Sequence, residues 1–590
     1  MKNITYILIL FLAGVLSSCE DYLDAPTQST MDESLIFSNV ELAKGAIDGI
    51  KEPMGQTNSY RGRFLTHYGS NTDIEWNNST SINARGDLSR YINSSTNSDM
   101  NRDNVYWAML YRGIERANVC IRGLRTYGSP EPGTEMGQLL GEAITLRTIF
   151  YSDLLKAHGD IVARFEPITS ETIYMSKSNR DVIYKQLIAD LEEAATLVAW
   201  PNETAATSTT EMVNKAFVKA FRARLCLWAS GYAQRGASIS RSSDPELSVD
   251  VLYPIALQEC KDVMESNKAS LETSFETVWR KNCEEVITAG AESLWEVPFS
   301  EARGRHLFTY GVRHQMADQY TGQPRGGAYG PLPNVYYDFD SKDTRRDVTC
   351  VPYIWSQSNP AKQELDGVNT WYFGKWRYEW MKRYVTSTND DGVNKIFMRY
   401  AEVVLMAAEI ENELNGPVAA APYLKQIRQR AFMSADWSDK VDAYVDAASV
   451  SKETMFKAIV DEHGFEFCGE MERKMALIRW NLLKTKMDEA KIKMDDLRNQ
   501  VGEYADVPTT VYYSYLADGE TLDYYGMERG ETADKSADYE FQETWVSPTK
   551  IEDDKINSLY SNDPDQNQFW PIWQVFIDAS NGMLNNDPLN

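Results

Sequence analysis

The sequence predicts a mainly α fold: a tetratricopeptide-like scaffold of helical hairpins, broken by long irregular insertions and carrying minor β structure. Three observations predict it. Apolar residues recur at helical spacing in eight segments between residues 40 and 432, which gives each segment one apolar face. Helix starts near residues 138, 179, 212 and 252 fall roughly 33 to 41 residues apart, the period of a degenerate two-helix repeat. The stretches 59–100, 271–395 and 500–567 are polar, aromatic and rich in Gly, Asn and Ser, and they are too long for connectors, which makes them the expected seat of function.

The elements follow in chain order. Lys2 and the apolar run Ile4 to Leu16 read as a secretory signal over residues 1–18, too short to span a bilayer. Leu16-Ser17-Ser18-Cys19 has the pattern of a bacterial lipoprotein cleavage site, so Cys19 is expected to be acylated (palmitate or a similar chain) and to tether a single body, 19–590, to a membrane. Val40 to Ile50 and Val105 to Leu124 form a first helical pair within 40–124. The second pair, 138–198, joins Gln138 to Leu155, stopped by Gly159, to a helix opened by a capping box at Ser178-Asn179-Arg180-Asp181 and ended by Pro201. The third, 211–266, joins Glu211 to Ala229, with Ala216, Ala220 and Ala223 at close-packing spacing, to Tyr253 to Ser266. The fourth, 397–432, joins Phe397 to Leu414, closed by Gly416-Pro417, to Val418 to Phe432, and a C-terminal segment fills 500–590.

Composition excludes several functions. With 86 acidic and 60 basic residues the formal charge is −26, which leaves no basic footprint for nucleic acid and repels anionic headgroups. The cysteines after Cys19 (Cys120, Cys226, Cys260, Cys283, Cys350, Cys468) lack any CxxC pair and are expected as buried small hydrophobes. No GxSxG, HExxH or P-loop occurs, and the five histidines show no metal-ligand spacing, so no catalytic residue, metal or cofactor is expected beyond the lipid. The 15 Trp and 33 Tyr, many in Gly-rich surroundings, are available for stacking.

GEAITLRTIFYSDLLKAHGDI (141–161), RYAEVVLMAAEIENELNG (399–416) and EHGFEFCGEMERKMALIRW (462–480), together with the N-terminal CEDYLDAP and the late Trp570-Pro571-Ile572, resemble the SusD/RagB-like nutrient-binding lipoproteins of the Bacteroidetes outer membrane over nearly the whole chain. His158 departs from the aromatic usual there, and NNDPLN only loosely matches the family's ending. The resemblance implies a surface-exposed, lipid-anchored receptor that captures oligosaccharide or polysaccharide, or in some members peptide, and passes it to a SusC-like TonB-dependent barrel without turnover. The matching motifs belong to the scaffold, so the resemblance does not carry the identity of the ligand.

Candidate ligand residues come from the insertions. Asp73, Glu75 and Trp76 in GSNTDIEWNNSTSINARGD (69–87) combine carboxylates with a flat ring, the chemistry a sugar needs, although a solvated loop with Trp76 tucked inward accounts for them equally well. Ser70-Asn71-Thr72-Asp73 also resembles a loop near the family's ligand face. Tyr310, Tyr320 and Tyr329 in HLFTYGVRHQMADQYTGQPRGGAYGPLP (306–333) read as an adaptable rim. Trp371 in WYFGKWRYEW is a further candidate, though Trp371, Phe373 and Lys375 alternate as in a half-buried strand. DFDSKDTRRD (338–347) has Asp343 where a calcium loop wants glycine, so ion pairs and caps account for it better than calcium. Glu466 and Glu470 sit four apart as on one helix face, but Arg473 and Arg479 beside them favour salt bridges over a glycosidase acid pair.

Overall fold

The computed structural model describes residues 32–62, 68–386 and 391–589, so the leader, Cys19 and His67 lie outside the described residues. Its backbone is a helical array in which each helix packs on its neighbour in the chain. Helix α1, Val40–Lys51, starts where the Asn39 side chain accepts the Leu42 N–H. It packs on α2, Tyr106–Gly123, and on α3, Glu135–His158. Helix α3 is the axis of the core, buried on every face from Met136 to His158. Such a helix has to neutralise its charges internally. Glu142 meets Lys51 at 2.6 Å, Arg147 meets Asp190 at 2.7 Å, and Lys156 meets Asp153 at 2.6 Å. Gly159, at φ 70°, ends it in a conformation that glycine adopts without a Cβ penalty.

Helix α4, Arg180–Leu197, is capped not by the expected box from Ser178 to Asp181 but by Asn179 alone, whose side chain accepts the Asp181 N–H, while Ser178 N–H is drawn to the Ile161 carbonyl. Helix α5, Lys215–Ser230, packs between α4 and α6, Val249–Glu265, and buries Ala216, Ala220 and Ala223 completely. It begins four residues later than the sequence pattern suggests, because Asn214 is the residue whose side chain caps it, on Phe217 N–H. After the central insertion the array resumes: α6 packs on α7, Tyr400–Asn415, which packs on α8, Pro417–Ala431, and on α9, Lys452–Phe467. Gly416 at φ 92° and Pro417 at the first helical position make the tight α7–α8 corner. Two further helices, α10, Arg473–Arg479, and α11, Leu483–Asn499, were not apparent in the sequence pattern. Leu483, Met487, Ala490, Met494 and Leu497 form the narrow buried stripe of α11 among many charges.

The strands are short and antiparallel. Glu75–Asn77 (β1), Ser293–Val297 (β2), Tyr329–Pro331 (β3) and Lys395–Arg399 (β4) pair as β1 with β3 and β2 with β4. Residue Phe397, expected to open a helix, therefore lies in β4; it packs edge-on against Phe217, Phe221 and Trp295, and the helix begins only at Tyr400. Within the C-terminal segment Thr510–Tyr515, Leu522–Tyr525 and Phe541–Thr544 form a three-stranded sheet. The chain then returns to α3, where Trp570 N–H donates to the Ala157 carbonyl at 2.7 Å and His158 Nδ1 lies 3.0 Å from the Trp570 carbonyl.

A buried ion cluster ties the insertions to the array. Arg399 meets Glu292 at 2.7 Å, Glu466 at 2.5 Å and Glu470 at 2.7 Å. Arg345 meets Glu462 at 2.7 Å and Glu466 at 3.0 Å, Arg430 also pairs with Glu466, and Lys375 meets Glu470 at 2.6 Å. Glu466 ends α9 while Glu470 lies beyond it, so the two share no helix face. Their cations are these, whereas Arg473 and Arg479 pair with Asp73 and Glu409. Three guanidiniums hold the Glu466 carboxyl well below its ordinary range, the opposite of what a general acid needs. The acids of 338–347 are likewise ion-paired: Asp338 with Lys493 at 2.8 Å, Asp340 with Lys440 at 2.9 Å and Asp343 with Arg345 at 2.6 Å. The six cysteines among the described residues are buried thiols.

Candidate ligand-binding site

The first and central insertions meet along the β1–β3 pair, in which Glu75 faces Pro331, Trp76 faces Gly330 and Asn77 faces Tyr329. Asn78 extends the seam: its N–H donates to the Ala328 carbonyl, and its side-chain amide donates to the carbonyls of Gly327 and Trp371 at 3.2 and 3.1 Å. Asparagine side chains shape the loop around it, since Asn71 Oδ1 accepts Asn77 N–H, Asn77 Oδ1 accepts Ser79 N–H, and Asn83 Oδ1 caps the short helix Ala84–Ser89. Opposite, Gly326 and Gly327 at φ 75° and 79° turn the chain back toward the seam.

Between the two loops lies a cavity of about 240 Å³. Asn77, Ser79, Asn83 and Arg85 line it from the first insertion, and Arg305, Phe308, Thr309 and Tyr329 from the central one. It therefore offers rings, amides, hydroxyls and two guanidiniums. Arg305 lies over the Phe308 ring, 4.3 Å from its centroid. Arg85 is half exposed and donates from Nε to Asp99 at 3.0 Å. Phe308 is held by its N–H on Asp391, a buried carboxyl pushed up to about 6 by desolvation. Behind the wall runs a stack of rings: His306 on Tyr310 at 5.3 Å, and Tyr310 on Tyr329 at 5.3 Å and on Phe373 at 5.7 Å. Burial holds His306 neutral, its pKa down at about 3.

The residues singled out in the sequence support this cavity more than they line it. Asp73 makes a two-pronged ion pair with Arg473 at 2.9 and 2.7 Å. Glu75 is buried, accepts the Gly469 N–H at 2.5 Å, and is pushed up to about 8 by desolvation. Trp76 is 0% exposed, with Lys555 Nζ 4.1 Å from its ring, so it has no face to give a sugar. Tyr310 and Trp371 are buried as well; Trp371 stacks on Tyr336 at 4.7 Å and donates to the Val368 carbonyl at 2.8 Å. Trp371, Phe373 and Lys375, expected to be half buried, are buried completely. Of Asp73, Glu75, Trp76, Tyr310, Tyr320, Tyr329 and Trp371, Tyr329 alone reaches the cavity lining. Arg85, Arg305 and Phe308 were passed over in the sequence; the only signal for them was their place inside the two insertions.

A larger cavity, about 740 Å³, lies between Tyr336–Lys342 and Glu528–Glu531. Its charges are spent on each other: Arg346 Nη1 on Glu528 at 2.7 Å, Lys440 on Asp340 at 2.9 Å and Arg529 on nearby Asp506 at 2.7 Å.

Two family models match the chain, one described as the SusD family over residues 291–588 and one described as starch-binding associating with outer membrane over residues 21–227. SusD-like protein P25 of Formosa agariphila is 22% identical over 528 residues, covering 82% of this chain and 91% of that protein. SusD-like protein P38 of the same organism is 23% identical and covers 81% and 92%. Among solved structures, a SusD homolog from Bacteroides thetaiotaomicron superposes with a TM-score of 0.72 at 18% identity, covering 95% of this chain and 99% of that one. Surface glycan-binding protein A from the same organism, solved in complex with laminarihexaose, gives 0.60 at 16% identity and covers 93% and 99%.

Proposed function

The chain belongs to the SusD family, and from that premise we propose that it is a glycan-binding lipoprotein of the outer membrane, anchored through Cys19 on the cell surface, that delivers oligosaccharide to a SusC-like TonB-dependent barrel. The observation that carries the binding reading is the cavity at the β1–β3 seam, where the two insertions bring rings, amides and hydroxyls together. A sugar exchanges hydrogen bonds with water for bonds with protein, each netting only about 0.5 to 1.5 kcal/mol, so the half-buried ring of Phe308 carries much of the remainder. The laminarihexaose complex of surface glycan-binding protein A supports this ligand class. No helix among the described residues is long and apolar enough to cross a membrane.

We read it as a binder without turnover; that Glu466 and Glu470 are buried and ion-paired supports this reading. A glycan array and a peptide array probed with residues 20–590 test the reading, followed by a reducing-end assay on whichever polysaccharide binds. Binding to glycans with no reducing ends released is the expected result. Binding to peptides alone would make this a peptide receptor, and release of reducing ends would make it a hydrolase.

A further inference from the structure

We propose that Asp391 is a positioning residue for ligand binding: it caps the short helix His306–Tyr310 from a distant part of the chain and so holds the Phe308 ring at the seam cavity. This rests on the glycan reading of that cavity. The helix has no cap of its own, since Arg305 precedes it and offers no side-chain acceptor to its first N–H groups. Asp391, fully buried, supplies the acceptor. Its Oδ2 takes the Phe308 N–H at 3.2 Å, the Leu307 N–H donates to the same carboxyl, and its Oδ1 takes the Val393 N–H at 3.2 Å. The Asp391 N–H in turn donates to the Gly304 carbonyl at 3.1 Å. The two segments lie so close that a Cβ at Gly304 would come within 2.9 Å of Asp391 Oδ1 and 2.7 Å of Gly392 N.

The clamp is only as firm as its root, and Asp391 is rooted in the array. It stands just ahead of β4, which pairs with β2. Asn394 Oδ1 accepts the Phe299 N–H at 2.6 Å, and Arg383 donates to the Asp391 carbonyl while pairing with Glu285 at 2.7 Å. Phe308 is half buried on an otherwise irregular stretch, and a ring that has to be ordered at the moment of binding costs affinity, whereas one held beforehand does not. Desolvation pushes the Asp391 carboxyl up to about 6. The ionisable groups that bear on it are Arg325, Arg383, Tyr378 and Cys283. Burial pushes the Cys283 thiol up to about 12 and the Tyr378 hydroxyl higher, and guanidiniums stay charged, so Asp391 alone of this group titrates near pH 6.

A glycan array probed with residues 20–590, with titrations on the glycans that the parent binds, tests this. Asp391→Asn should lose tenfold or more in affinity, because an amide accepts hydrogen bonds at one of its two ends only. Phe308→Ala should lose as much, and the double variant no more than Phe308→Ala alone. Parent affinity should fall at least threefold between pH 7 and pH 5, as protonation weakens the cap, and Asp391→Asn should lose that dependence. Gly304→Ala reaches the same clamp with the carboxyl in place and serves if Asp391→Asn does not fold. Hydrogen exchange across 304–311 should then quicken and affinity fall, again with no further loss on the Phe308→Ala background. Losses that add in the double variants, or an acid limb that survives in Asp391→Asn, would make Asp391 a general structural residue and overturn the proposal while the glycan reading stands. A parent that binds no glycan on the array would remove both.

Discussion

Replacing Gly330 with alanine adds one methyl group at the seam between the two insertions. A Cβ built there would lie 1.8 Å from the Trp371 carbonyl oxygen and 2.7 Å from its carbonyl carbon, where ordinary contact begins at 3.4 Å. Strand or partner has to move by about 1.6 Å, the difference between those two distances. Trp371 cannot give easily: its ring is buried against Tyr336 and Trp545, and its carbonyl accepts the Asn78 amide. Overpacking of this kind costs about 1 to 3 kcal/mol, and losing the Asn78 bond adds about 0.5 to 1.5. The expected loss is roughly 2 to 4 kcal/mol, concentrated where β1 meets β3. Hydrogen exchange read by mass spectrometry should show faster exchange in peptides covering 69–83 and 326–332 than in the parent, with helices α3 to α6 unchanged, and ligand binding should fall. Gly45→Ala is the control: the same chemical change, inside α1, meets nothing within 4 Å and should stabilise by about 0.5 to 1 kcal/mol. Unaltered exchange across the seam in Gly330→Ala would refute the argument that this strand pair holds the cavity together.

Trp76→Ala should lower stability by about 3 to 5 kcal/mol in chemical denaturation, as expected for a fully buried ring; weakened binding at unchanged stability would instead put Trp76 on the ligand. Glu75 keeps its proton up to about pH 8 in the folded chain against 4.5 when unfolded, so its folded state binds more protons between those values and stability should fall as pH rises through them, by at most about 1.4 kcal/mol per unit. Glu75→Gln should flatten that slope in pH-dependent melting, and an unchanged slope would assign it to another group. Glu466→Gln leaves Arg345, Arg399 and Arg430 short of a buried anion and should cost about 3 to 5 kcal/mol; a native midpoint in urea would contradict the coupling drawn here. Cys19→Ala should leave the membrane pellet for the soluble fraction, and its retention after a carbonate wash would mean another anchor.

The scaffold could be read from the sequence because its signals are local and periodic. Asn179, Gly159 and Gly416-Pro417 mark helix ends through capping and left-handed turns that any context would require. Phe397 was misread because a short apolar run suits helix and strand alike; pairing with β2, more than a hundred residues away, decides it. Helix α11 escaped notice because its buried stripe is narrow and most of its residues are charged. In the site, proximity was legible and direction was not. Trp76 and Asn77 are consecutive in a strand and therefore point to opposite faces, one to Lys555 and the core, the other to the cavity. Choosing the aromatic as the ligand contact followed its chemistry and missed the pleat.

The same contrast explains how loops with so little regular structure can present a defined site. The first insertion is bolted to the array by polar contacts that stay out of the cavity: Asp73 on Arg473 of α10, Glu75 on the Gly469 N–H just beyond α9, and Lys555 over Trp76 from the C-terminal segment. The central insertion is bolted by Lys375 to Glu470 and by Arg345 to Glu462 and Glu466 of α9. The ion pairs among these bolts add little net stability against apolar replacements, but leaving one partner alone is costly, so each of them penalises misplacement of its loop. The lip residues Arg85, Arg305 and Phe308 sit outside this set of bolts. Their replacement should therefore leave the seam intact.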